Sequence, residues 1–498
     1  MTIEHLDVLV VGAGISGIGA GFHLQRDCPG KTYAILEGRD VIGGTWDLFR
    51  YPGIRSDSDM YTLGFSFRPW KEAKSIADAP SILNYLHETA EAYGIDRKIR
   101  YRHMVKRAAW SSEDAKWTVE VEKGPEKALT LFTCNFLFMC SGYYDYAEGY
   151  SPAFPGSDTF AGQIIHPQHW PERLDYAGKK VVVIGSGATA VTIVPEMAKT
   201  AGHVTMLQRS PSYVVARPAE DAFAIKLRRN LPAMLAYRII RWRNVLLQMF
   251  FFNLARKKPA KTKERLINLV RKELPDYDVD THFNPRYNPW DQRLCLVPDS
   301  DLFEAIKSGK ASVVTNQIET FTKTGIALKS GEQLDADIIV TATGLNLQLM
   351  SGLEVTVDGE PIPLNHTTSY KGMMYSGVPN LASSFGYTNA SWTLKADLTC
   401  EYICRLINRM DKTGTRIATP RLREAVEEAP WLDFTSGYVQ RGIGQFPKQG
   451  SKAPWKLYQN YILDLFTLRY TTVDDGVMEF AKPHEVAAAS PEKVSEAA

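Results

Sequence analysis

Twice in this chain a short apolar run ends in a glycine-rich turn that opens a helix-forming stretch, and that pattern restricts the fold more than any other feature. The first copy is Asp7-Val8-Leu9-Val10-Val11 leading into Gly12-Ala13-Gly14-Ile15-Ser16-Gly17. The second is Val181-Val182-Val183-Ile184 leading into Gly185-Ser186-Gly187-Ala188-Thr189-Ala190. Apolar runs without polar alternation read as strands covered on both faces, the kind found in parallel sheets. Strand, glycine turn and helix together begin a βαβ unit. The chain is therefore expected to be α/β, with two separate Rossmann-like domains. A length of 498 residues agrees, because single cores stop growing at roughly 250–300 residues.

The residues that follow each turn tell the two units apart. After the first, the strand Tyr33-Ala34-Ile35-Leu36-Glu37 ends in an acid. Glycines allow the tight turn and the close approach of a pyrophosphate, the helix N-terminus stabilises its charge, and Glu37 can accept hydrogen bonds from an adenosine ribose. After the second, the strand His203-Val204-Thr205-Met206-Leu207 ends in Gln208-Arg209-Ser210 with no acid. A carboxylate there would repel the 2′-phosphate of NADPH, whereas Arg209 can pair with it; otherwise Arg209 is a solvated strand end. The pairing predicts FAD held at the N-terminal site and NADPH visiting the other, with hydride passing from nicotinamide to flavin.

Between these landmarks the chain divides as follows. Residues 1–145 are read as the first part of an FAD-binding domain and 146–214 as the first part of an NADP-binding domain. In 215–290, Leu, Ile and aromatics recur at helical spacing among many Arg and Lys, which predicts a helical insertion that acts as a lid. Residues 291–334 complete the NADP domain. The strand-like run Asp337-Ile338-Ile339-Val340 is expected to resume the first sheet, so that 335–498 forms the second part of the FAD domain and a low-complexity tail.

Charge and cysteine content exclude several classes. The chain carries 58 Lys+Arg against 56 Asp+Glu and has no dominant basic run, unlike a nucleic-acid binder. A small-molecule substrate is expected. Six scattered cysteines without a C-x-x-C pair argue against a disulfide framework or a metal site. The start lacks the basic and long apolar regions of a signal peptide, which predicts a cytoplasmic protein. Leu231 to Ala255 is apolar, but Arg238, Arg241 and Arg243 would each cost about 2.5–3.5 kcal/mol at a bilayer centre. A spanning helix is not expected there; a peripheral membrane contact or ordinary packing stays open.

Two longer patterns point to a use for the flavin. Phe160-Ala161-Gly162-Gln163-Ile164-Ile165-His166-Pro167-Gln168-His169-Trp170-Pro171 fits F-x-G-x-x-x-H-x-x-x-W-P. Gly43-Gly44-Thr45-Trp46-Asp47-Leu48-Phe49-Arg50-Tyr51-Pro52-Gly53-Ile54-Arg55-Ser56-Asp57 fits G-G-x-W-x-x-x-x-Y-P-G-x-x-x-D. In both, the chain resembles the type I Baeyer-Villiger monooxygenases of the flavin-containing monooxygenase superfamily. Trp46 to Phe67, Asn288 to Pro298 and Tyr387 to Leu398 are most similar to the bacterial ethionamide-activating subgroup. The resemblance implies oxygen insertion beside ketone carbonyls through a flavin peroxide, giving esters or lactones, with sulfides and thioamides as further substrates and O2 as co-substrate.

The same resemblance implies roles for particular residues. Arg293, in Asn288-Pro289-Trp290-Asp291-Gln292-Arg293, matches the family's catalytic arginine. A permanently charged guanidinium can stabilise both a peroxide anion and a tetrahedral adduct. Asp57 matches the carboxylate that orients it and could also touch the cofactors. As plain structure, Arg293 would form an interdomain ion pair and Asp57 would serve a turn. Ser16, Thr45, Trp46, Asp47 and Leu48 are implied to surround the flavin, Val105 to approach the adenine, and Arg55 and Ser56 to reach the nicotinamide nucleotide. His166 is implied to act through conformation or cofactor positioning. Many relatives carry Lys where this chain has Gln292, which leaves Arg209 as the main reader of the 2′-phosphate. Tyr61, Tyr387, Asn389 and Trp392 are candidates for the pocket or the core. Three rivals remain: a flavin-containing monooxygenase restricted to N or S nucleophiles, a disulfide reductase, which would need a redox cysteine pair, and a flavin-bearing sensor without turnover.

Overall fold

The structure, a computed structural model, describes residues 3–292, 294–432 and 434–483. It is built on two sheets. In the first, the parallel strands Ile99–Arg100, Tyr33–Leu36, Glu4–Val11 and Ala128–Met139 lie side by side. Ala128–Met139 continues antiparallel into Lys116–Lys123 and His103–Ser111, and Leu381–Ser383 pairs parallel with its end. The Ile15–Asp27 helix packs beneath, against the long Trp392–Thr413 helix. The second sheet is wholly parallel, in the order Ala311–Thr315, His203–Gln208, Lys180–Ile184, Ile338–Thr341 and Gln163–Ile165. Its central strands are covered on both faces, as their unbroken valine and isoleucine content requires.

One expectation needs correction. Ile338–Thr341 does not resume the first sheet; it pairs with Lys180–Ile184, from Ile338↔Val181 to Thr341↔Ile184. The second unit therefore extends past 335, and the chain returns to the first only through Leu345–Leu347. That strand pairs antiparallel with the outgoing Tyr144–Gly149, Leu345 opposite Gly149 and Leu347 opposite Tyr144. The two crossings between the sheets thus form one two-stranded ribbon.

The insertion is helical over Ala222–Asn230, Ala233–Lys257, Pro259–Glu273 and Val279–His282. Arg241, which would be costly in a membrane, is buried here against main-chain acceptors. Its guanidinium donates to the carbonyls of Tyr61, Thr62 and Gly64 at 2.8, 3.1 and 2.7 Å, with Asp397 at 3.8 Å. A buried cation is tolerated when every donor finds an acceptor. This arginine pins the long helix to the first domain. No helix of the described residues is long and apolar enough to cross a membrane. All six cysteines are buried. The low-complexity tail beyond 483 lies outside the described residues.

Candidate active site

Each glycine turn is forced by a near-contact of main chains. Gly12 has φ +101°, and a Cβ there would lie 2.7 Å from the Cys140 carbonyl oxygen. Gly185 has φ +140°, and a Cβ would lie 2.3 Å from the Ala342 oxygen. In both units the first glycine meets the chain segment about to cross to the other domain. The third glycine of the first motif lets the helix close down, since a Cβ on Gly17 would sit 1.9 Å from the Gly12 oxygen.

Around the first turn the polar groups are tightly committed. Glu37 is buried and accepts from the backbone N–H of Ala13 at 2.8 Å and of Arg39 at 2.9 Å. Burial nevertheless holds its carboxyl above the usual range, only partly offset by those two donors. Gly43 N–H donates to the Ala13 carbonyl at 3.1 Å, which folds the Gly43-Gly44 turn over the first motif. A Cβ on Gly44, at φ +55°, would meet the Gly14 Cα at 3.2 Å. Ser16 Oγ accepts from Trp392 Nε1 at 2.7 Å and from Ser384 Oγ at 3.2 Å, which leaves its own proton to donate.

The loop 51–57 joins the two units. A Cβ on Gly53 would lie 3.2 Å from the Thr192 carbonyl on the Ala188–Met197 helix. Tyr51 hydrogen-bonds the Thr189 side chain, and burial pushes its phenol up to about 12. Arg55 pairs with Asp301 at 2.5 Å. Ser56 is buried in a local turn, donating to the Ser58 carbonyl at 2.8 Å and accepting from Ser58 N–H at 3.0 Å.

A single cavity of about 750 Å³ opens onto all of these parts. Gly12, Gly14 and Ser16 line it from the first turn, and Gly187, Ala188 and Thr189 from the second. Thr45, Trp46, Arg55, Ser56 and Asp57 line it between them, with Asp57 exposed on the wall. Val105 lines the end near Glu37, next to a β-bulge between Val105 and Arg107.

A model of the flavin-binding monooxygenase-like family matches residues 64–354, and one of NAD(P)-binding Rossmann-like domains matches 10–79. The chain is 57% identical over 482 residues to the FAD-containing monooxygenase EthA of Mycobacterium tuberculosis, covering 96% of this chain and 98% of that one. The chain belongs to the flavin-binding monooxygenase-like family. Its fold is also that of an oxidized steroid monooxygenase bound to NADP, at TM-score 0.76 and 23% identity over 96% of this chain and 100% of the other. A cyclohexanone-bound cyclohexanone monooxygenase in a rotated conformation matches at TM-score 0.74 and 21% identity, covering 97% and 100%.

Within this monooxygenase fold, several residues singled out in the sequence stand back from the cavity. Asp47 is buried in an ion pair with Arg39 and another with Arg50 at 2.8 Å, and Leu48 is half-buried behind the wall. Gln208 is buried, donating to the His282 carbonyl at 2.8 Å and to Thr315 Oγ1 at 2.9 Å. Ser186 Oγ donates to the Ser210 carbonyl at 3.0 Å, and Ala190 is in the core. Arg209 is exposed at its strand end, with no ion pair among the described residues. Arg293 lies outside the described residues; its neighbours Gln292, Cys295 and Leu296 line the cavity. Of the aromatic candidates, Tyr387 and Trp392 line the cavity, Tyr61 is core, and Asn389 is tied to the Gln459 carbonyl at 2.9 Å.

Other wall residues had no sequence signal. The Arg39 backbone N–H donates to Glu37 while its guanidinium donates to the Gly44 carbonyl and pairs with Asp47, so one residue braces the first turn against its cover. Tyr146 hydrogen-bonds Thr45 from the far side, and burial raises its phenol to about 12. Both are ordinary residue types whose position only the fold reveals.

His166, just past the Gln163–Ile165 strand, packs against the ribbon between the sheets. Its Nδ1 accepts from Gln168 N–H at 3.2 Å, so Nε2 carries the proton and donates to the Gly344 carbonyl at 3.2 Å. A Cβ on Gly149 would lie 2.0 Å from the ring. One imidazole thus touches both crossings, and burial lowers its pKa so that it stays neutral. It does not line the cavity.

Proposed function

We propose that the chain is a Baeyer-Villiger monooxygenase that uses NADPH and O2 to convert ketones to esters or lactones, and that oxygenates sulfides and thioamides at sulfur. Overall, ketone, O2, NADPH and a proton give ester, NADP+ and water. The observation that carries this reading is the single cavity shared by both glycine turns, loop 51–57 and the segment around residue 293.

The residues fit FAD at the first turn and NADP at the second. Gly12 and Gly14 expose main chain at a helix N-terminus, and Glu37 stands at the strand end to receive a ribose hydroxyl. Thr45, Trp46 and Ser16 flank the flavin, and Val105 approaches its adenine. At the second turn nothing lies within 4 Å of a Cβ placed on Gly187, which leaves room for a phosphate against the Ala188–Met197 helix. Arg209 is solvent-facing and ready to pair with a 2′-phosphate. The flavin, once reduced by NADPH, supplies the activation of dioxygen.

The chain's own residues then supply geometry and charge. Arg293 stabilises negative charge that builds on the reacting oxygens without giving up its proton. Asp57 holds that guanidinium in position, and Arg55, fixed by Asp301, meets the nicotinamide nucleotide.

Arg293→Ala tests the assignment. Removing one such donor costs roughly 10²–10³ in rate. The expected result is that ester formation falls by at least that factor while NADPH is still consumed, its electrons appearing as hydrogen peroxide. Normal ester yield in the variant would overturn the role of Arg293. Wild-type enzyme that oxygenates sulfides and no ketone would reduce the reading to a monooxygenase of soft nucleophiles.

A further inference from the structure

The Ala233–Lys257 helix presents different surfaces inward and outward. On the inner side Val245 and Met249 pack with Leu394 and with Tyr387, which lines the cavity. On the outer side Leu235, Ile239, Trp242, Leu246 and Phe250 recur every three or four residues, 40–60% exposed. That spacing puts them on one stripe along the helix. The neighbouring Tyr461–Arg469 helix widens it: the Tyr461 ring lies 5.9 Å from the Trp242 ring, and Leu463 and Phe466 are exposed beyond it, followed by Tyr470. Large contiguous apolar patches on a folded surface mark contact sites.

The charge around the stripe indicates what covers it. The chain as a whole is nearly balanced, but between 222 and 273 only Glu264 and Glu273 are acidic, against fourteen Lys and Arg. Lys226 and Arg229 are exposed before the stripe, Arg238 within it, and Lys257, Lys258 and Lys261 after it. A second copy of the chain would bring two such cationic surfaces together. An anionic bilayer matches both parts: rings and aliphatic side chains enter the acyl boundary while long cationic side chains reach phosphate headgroups.

We propose that this face docks the enzyme peripherally on an anionic lipid surface. Because the inner side of the same helix backs the cavity wall, docking puts the cavity one helix thickness from the membrane. The inference is independent of the reaction assigned above.

Co-sedimentation of the flavin-loaded enzyme with phosphatidylcholine vesicles, with and without phosphatidylglycerol, tests it. Binding is expected only with phosphatidylglycerol, and it should weaken as salt rises. The Leu246→Glu/Phe250→Glu variant should partition at least about tenfold less. Its turnover of a water-soluble substrate should be unchanged, and unchanged flavin content would show that it folds; Leu246→Gln is a milder second variant. Absence of wild-type binding, equal binding to neutral vesicles, or unaltered binding by both variants would overturn the proposal. So would a sedimentation-velocity dimer that the double variant dissolves, because a second copy would then be the occupant.

Discussion

The two glycine turns begin alike, each with a left-handed glycine jammed against the chain that crosses to the other domain, but their surroundings differ. The first is closed in: Glu37 is buried with both oxygens engaged, Arg39 braces it, and Gly43-Gly44 folds over the top. The second is open: Gly187 faces empty space, Gln208 is committed to its own domain, and Arg209 projects into solvent. Enclosure suits a group held through many turnovers, and openness suits one that must leave after each hydride transfer. Under the proposed assignment the same local backbone serves a resident and a visitor, and the difference lies in what is packed around it.

The most severe way to probe that contrast is to add a methyl group to each turn. Gly12→Ala and Gly185→Ala each force a positive φ on alanine and a collision with a carbonyl oxygen, a cost of about 2–4 kcal/mol by thermal melting. Gly12→Ala should lose bound flavin, whereas Gly185→Ala should stay yellow and fail to be reduced by NADPH. Equal flavin loss in both would break the distinction between resident and visitor.

A smaller effect is expected at Arg209. A charge-assisted hydrogen bond contributes about 1.5–3 kcal/mol, so Arg209→Ala should raise the KM for NADPH roughly tenfold to a hundredfold. NADH should be almost unaffected. Steady-state kinetics with both nucleotides would show it, and an equal loss for the two would mean that Arg209 does not read the 2′-phosphate.

The smallest effect concerns Glu37. Its folded-state carboxyl is raised above the ordinary 4.5 by burial. The stability it contributes is therefore present below pH 4.5 and lost as pH rises through the folded value. In flavin-free protein, Glu37→Gln should flatten the fall in melting temperature as pH rises above 4.5. A steeper fall in the variant would show that the two backbone donors outweigh burial.

The glycine turns were legible in the sequence because a main-chain collision leaves only one residue type able to stand there, and Glu37 because its distance from the turn is set by one helix and one strand. Ile338–Thr341 was assigned to the wrong sheet for an equally physical reason. A strand buried on both faces has the same composition in either sheet, and only its partner Lys180–Ile184 decides. Asp47 was implied by resemblance to surround the flavin, yet its carboxylate is claimed by two arginines, Arg39 and the nearby Arg50, and such side-chain pairing leaves no periodic trace. The apolar run at 231–255 showed both its amphipathic character and its arginines, but only the fold separates Arg241, which pins the helix inward, from Arg238, which faces out.

The antiparallel pairing of Tyr144–Gly149 with Leu345–Leu347 has a topological consequence. Some two hundred residues leave and re-enter the host at neighbouring points, so to the host the whole second unit is one closed loop. Because closure entropy grows only as the logarithm of loop length, an excursion of that size costs the host little more than a short one. A unit whose chain leaves and returns through one pair of adjacent strands can change length in its own loops while the sheet that carries it keeps its register, provided the contacts of Arg241 and Arg55 across the two units are kept.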